Sequence, residues 1–93
     1  MIKVVQSKSN DPMLFNITVQ KDGSETQHQV TMSNETYDDL TDGKVNPGRC
    51  IEAAFEFLLE REPKESILSS FDVTVISRYF PSFDSEFGNY ISP

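Results

Sequence analysis

Asn46-Pro47-Gly48-Arg49-Cys50-Ile51-Glu52-Ala53-Ala54-Phe55-Glu56-Phe57-Leu58-Leu59-Glu60-Arg61-Glu62-Pro63 is the stretch on which the reading of this chain turns. Ile51, Ala54, Phe55, Leu58 and Leu59 recur at the i, i+3, i+4, i+7, i+8 spacing of a buried helix face. Cys50, Ala53 and Phe57 widen that stripe past half the circumference, and Arg49, Glu52, Glu56 and Glu60 take what remains. Asn46 is a good N-cap, Pro47 brings a preset φ and no N–H to the first helical position, and Pro63 forbids continuation. The pattern predicts a long central helix over Pro47 to Glu62. Its apolar surface is too broad for a sheet alone, so C-terminal segments or a second subunit must cover the other side.

Upstream the period is two. Ile2 to Gln6 is rich in β-branched residues and is ended by the turn-forming run Ser7 to Pro12. From Met13 to Gln20, Met13, Phe15, Ile17 and Val19 alternate with Leu14, Asn16, Thr18 and Gln20, as in a half-buried strand. Asp22-Gly23 supplies the positive φ angles of a tight hairpin. Glu25 to Met32 alternates again, with His28, Val30 and Met32 opposed to Gln27, Gln29 and Thr31. An antiparallel β-hairpin over 13–32 is therefore expected, or a three-stranded sheet over about 2–32. Ser33 then caps a short helix from Asn34 to about Thr41, with Met32 and Tyr37 placed as a hydrophobic staple and Asp42-Gly43 as its stop.

Downstream, Pro63 to Phe71 suits a short helix contributing Ile67, Leu68 and Phe71, and Asp72 can cap the next segment. Val73-Thr74-Val75-Ile76 carries strand composition, but the spacing of Val75, Ile76, Tyr79 and Phe80 favours a helix up to Pro81. Phe83 and Phe87 suggest a last turn or two ending near Gly88. The fold class is α+β in a single domain, 1–93: sheet first, then the long helix and several short ones.

Composition bounds function. Ninety-three residues bury only about 60 to 65% of the unfolded surface, which disfavours a large internal cavity. Fifteen acidic against eight basic residues give a net charge of −7, which disfavours nucleic acid and anionic lipid as partners. Residues 51–93 carry three Lys/Arg against eight Asp/Glu, so the helical half is the acidic one. Cys50 stands alone, which rules out an internal disulfide and suits a reducing cytoplasm. No run approaches the ~18 apolar residues of a membrane span, and Met1 to Gln6 lacks the long apolar stretch of a signal peptide. A cytoplasmic location is expected, with no membrane.

The block Phe57-Leu58-Leu59-Glu60-Arg61-Glu62-Pro63-Lys64-Glu65-Ser66-Ile67-Leu68, continued by Phe71-Asp72 and Val75-Ile76-Ser77-Arg78-Tyr79-Phe80-Pro81, resembles a family of short, uncharacterised bacterial proteins. His28-Gln29-Val30-Thr31 with Tyr37 and Leu40 extends the resemblance over roughly residues 26–81. It implies a bacterial, cytoplasmic protein and no activity.

Candidate chemistry is thin. Cys50 in the first turn of the main helix and His28, the sole imidazole, are the only residues for a Cys-His nucleophile, and nothing in the sequence joins them. A Cys on an apolar stripe is more often core packing, and His28 is read as a rim residue of the sheet. Asp38, Asp39, Asp42 and Gly43 fail as a calcium loop, with Leu40 at a ligand position and Arg49 where the bidentate Glu belongs. Glu52, Glu56 and Glu60 read as a solvated face. No cofactor or metal is called for, and an enzyme is the disfavoured reading. A ribbon-helix-helix DNA reader is the sharpest alternative: Gln27, Gln29 and Thr31 would face base edges, and Arg49 would sit by a phosphate. A hairpin partner preceding that strand, and the charge of −7, count against it.

The expectation is thus a non-catalytic module that binds a protein, a second copy of itself included. Phe57, Arg61 and Arg78 are its candidate interaction residues, and an ion pair is the bland alternative for Arg61.

Overall fold

A computed structural model describes residues 1–91. Strands β1 (Ile2–Lys8), β2 (Met13–Lys21) and β3 (Ser24–Met32) form an antiparallel meander. Its tight turn is the expected one, with Asp22 at φ 57° and Gly23 at φ 80°, the mirror-image geometry that matches strand twist. The register sets Ile17 between Val4 and His28, and Phe15 opposite Val30. Period two then buries Met13, Phe15, Ile17, Val19, Val30 and Met32 on one face. Asn16, Gln20, Gln27 and Gln29 stand on the other face, all four exposed.

Helix α1 (Asn34–Thr41) starts where Ser33 Oγ accepts from Thr36 N and stops at Asp42, whose φ is 54°. Helix α2 (Pro47–Leu59) starts where Asn46 Oδ1 accepts from Arg49 N at 2.8 Å. At 13 residues α2 is shorter than the long central helix expected to Glu62. Pro63 is the cause, since the residue before a proline is driven toward extended backbone. The last turn tightens ahead of it, with Arg61 N bonded to Leu58 O.

Beyond Pro63 the structure departs furthest from the sequence expectation. A single 3₁₀ turn (Lys64–Ser66) replaces the expected helix, and strand β4 (Ser70–Asp72) comes next, pairing parallel with β3 to give the order β1-β2-β3-β4. The reason is tertiary. Without a fourth strand, β3 would leave one row of backbone groups unpaired, and over Gln29–Thr31 that row is satisfied, with Gln29 N to Ser69 O (2.8 Å) and Val73 N to Thr31 O (2.9 Å) flanking the ladder. Three short helices close the described chain: α3 (Val75–Tyr79), α4 (Phe83–Glu86) and α5 (Gly88–Ile91). Helix α3 is shorter than expected, and the chain regains helix at Gly88 where an end was expected.

Helix α2 lies between two layers. On the sheet side Phe55 packs on His28 at 5.4 Å between centroids, and Cys50 Sγ meets Met32 Sδ at 3.7 Å. On the far side Phe57 takes edge contacts from Phe80, Phe83 and Tyr90 at 6.0, 4.9 and 5.7 Å. The C-terminal segments therefore cover the second apolar side. Two arginines pin them. Arg49 bonds Glu52, Glu56 and the carbonyl of Tyr90, while Arg61 bonds Glu86, the Tyr90 hydroxyl and the Phe57 carbonyl.

Candidate functional site

The end of α2, the segment leading into β4, and α3 converge on one apolar groove of about 270 Å³. Pro63 makes it possible by turning the chain away from α2, so that Ser66, Ile67 and Leu68 run back toward the sheet along one wall. Phe71 of β4 and Leu58 of α2 also line it. Val75, Ile76, Tyr79 and Phe80 form the opposite wall: four apolar residues on and just after a five-residue helix, more than so short a helix can bury. Leu68 is accordingly 46% exposed and Tyr79 67% exposed.

Glu62 is the one charged residue in the lining among the described residues. Its side chain forms no hydrogen bond or ion pair with the described residues, and burial holds its carboxyl above the usual carboxylate range with no neighbouring cation opposing that shift. The arrangement can take up apolar side chains beside a positive charge. At about 270 Å³ it falls just under the ~300–1,000 Å³ of small-molecule sites, which suits one or two inserted side chains.

The residues singled out from sequence lie elsewhere. Phe57 is fully buried and offers nothing to a partner, because α4 and α5 enclose it. Arg61 stacks on the Phe57 ring at 3.5 Å and pairs with Glu86 at 2.9 Å, so its guanidinium is spent inside the chain. Arg78 is exposed on α3 and has no ion-pair or hydrogen-bond partner among the described residues.

Among the described residues the geometry a ribbon-helix-helix needs is not formed. Over Gln29–Thr31 strand β3 is paired on both edges within the chain, which leaves that part of the strand no edge for pairing across a dimer. Gln27 and Gln29 do stand on the solvent face, but Thr31 donates to Asp72 at 2.6 Å and Arg49 is bound to two glutamates.

Cys50 and His28 are not brought into a catalytic pair. The thiol is bonded to Met32, and burial pushes its pKa up to about 12, far from the thiolate a nucleophile needs. His28 is a buried core residue rather than a rim residue, because position 28 shares the inward phase of Val30 and Met32. Its Nδ1 donates to Leu68 O and its Nε2 accepts from Thr26 Oγ1, each at 2.8 Å, which anchors the wall of the groove to the sheet. Glu52 and Glu56 hold Arg49, and Glu60 accepts from the Tyr90 hydroxyl.

Among the described residues no cluster of His, Cys, Asp or Glu is arranged to hold a metal, and no helix is long and apolar enough to cross a membrane. The signals that could have marked the groove were the apolar excess of 75–80 and a glutamate set directly before Pro63. No protein-family model, no curated protein and no solved structure matches this chain, so the site stands on its own geometry.

Proposed function

We propose that this chain is a non-catalytic protein-interaction module whose binding surface is the groove between the end of α2, the approach to β4, and α3. The observation that carries the proposal is the exposure of Leu68 and Tyr79 together at one apolar groove, the other exposed large hydrophobic residues among those described being Met1 and Val5, away from it. All of the lining lies between Leu58 and Phe80, so one continuous stretch of the chain builds the whole surface. The broad face of α2, the other surface considered for a partner, is already covered by α4 and α5.

Photo-crosslinking tests it. A benzophenone side chain at Tyr79 is expected to give a discrete adduct with another protein in the native cells, while the same group at Gln27, on the open sheet face, gives none. An adduct of twice the chain mass would make the partner a second copy. Labelling from both positions alike, or from neither, would overturn the assignment of the groove.

A further inference from the structure

Resting on that assignment, we propose that the occupant is an extended, basic and apolar segment of the partner, which adds as a fifth strand along the free edge of β4 and sets a cationic side chain beside Glu62. Three observations converge. Strand β4 is the last of the sheet, and among the described residues its only strand partner is β3. Ser69 O and Val73 N turn toward β3, so by the alternation of a ladder the backbone N–H and C=O groups of Ser70 and Asp72 point the other way, to the open edge.

The groove reaches β4 through Phe71, the residue between the two edge positions Ser70 and Asp72. Phe71 sends its ring inward onto Phe55 at 6.1 Å, and it also lines the groove. A strand laid along Ser70 and Asp72 would therefore direct every second side chain into the groove and the others to solvent.

Charge selects the kind of side chain. Glu62 is the only charge in the lining and has no cation to answer it among the described residues, whereas Asp72 is already committed to Thr31 and Thr74. The 51–93 half of the chain, with three basic against eight acidic residues, adds a negative field that draws a basic segment and repels an acidic one.

The two outer edges of the sheet are also treated differently. Strand β1 carries a register-shifting irregularity between Gln6 and Lys8, plus Lys3 and Lys8, devices that discourage pairing with another chain. Strand β4, Ser70-Phe71-Asp72, has neither a lysine nor a bulge, and its shortness and Asp72 are the devices it carries.

Selection of a random nonapeptide display library on the full chain, followed by amide exchange, tests the proposal. The expected peptides carry a Lys or Arg with apolar residues two positions away on either side. Their binding should slow exchange at the Ser70 and Asp72 amides, and Glu62→Gln should weaken it roughly tenfold or more. Circular dichroism confirms that the variant is folded. Peptides that lose binding in Tyr79→Ala but are indifferent to Glu62→Gln, or that leave Ser70 and Asp72 unprotected, would overturn the strand and its cation while the groove reading stands. Peptides indifferent to Tyr79→Ala as well, or none recovered at all, would overturn both.

Discussion

Glu62 is a carboxylate in a setting that disfavours its charge. Burial raises its folded pKa above the unfolded value, so the folded chain holds this proton more tightly than the unfolded one. The resulting contribution to stability is fully present below the unfolded pKa of about 4.3 and is lost as pH rises through the folded value. Glu62→Gln removes that loss. The variant should show a higher urea midpoint than the parent at pH 7, converging with it by about pH 3.5. An equal or lower midpoint at pH 7 would mean that the carboxylate is stabilised by something in the fold. Asp72 has the opposite sign: burial opposes its ionised form but is outweighed by hydrogen bonds from Thr31 and Thr74, which hold its pKa below the usual range. An acid that contributes to stability at neutral pH and one that detracts from it thus lie on either side of the approach to β4. The sequence offered Asp72 as a cap for the next segment, and its carboxylate does accept from Thr74 N just before α3, whereas nothing in the sequence marked Glu62 as destabilising.

At the scale of elements, what was legible is what is local. Asp22-Gly23, Ser33 and Asn46-Pro47 each act within a few residues, and each marks the turn or helix start expected of it. Asn46→Ala should cost about 1 kcal/mol, read from urea unfolding with an unchanged slope, because the Arg49 amide loses its acceptor. A loss well under half of that would show that water replaces the cap. Strand β4 was illegible for the converse reason. Ser70-Phe71-Asp72 has no strand pattern of its own at three residues, and it is extended because β3, far back in the chain, needs a partner. The groove depends on that strand and on the turn forced by Pro63, so it was hidden by the same fact.

At the scale of the molecule, two arginines fasten the third layer to α2 near its two ends, and both converge on Tyr90. The sequence placed Arg61 beside Phe57 but not the C-terminal segment that it grips, because Glu86 and Tyr90 are brought there only by tertiary packing. Replacing both arginines by methionine should keep much of the packing against Phe57 while removing the anchors. Amides of Phe87 and Tyr90 should then exchange faster while those of Phe15 and Ile17 stay protected, and sedimentation should show self-association as Phe57 is uncovered. Uniform acceleration of all four amides would show instead that the third layer is not a separately opening unit.

The parallel pairing of β4 also sets a timetable. A chain leaving the ribosome finishes β3 well before β4 exists, and at about 5 to 20 residues per second the interval is roughly 2 to 8 seconds. A hairpin folds in microseconds, so the three-stranded meander can form early and wait with the second edge of β3 bare. During that wait the nascent sheet is open to any extended segment nearby. Whatever keeps it from being captured acts on Gln29 and Thr31, the residues that β4 will later engage.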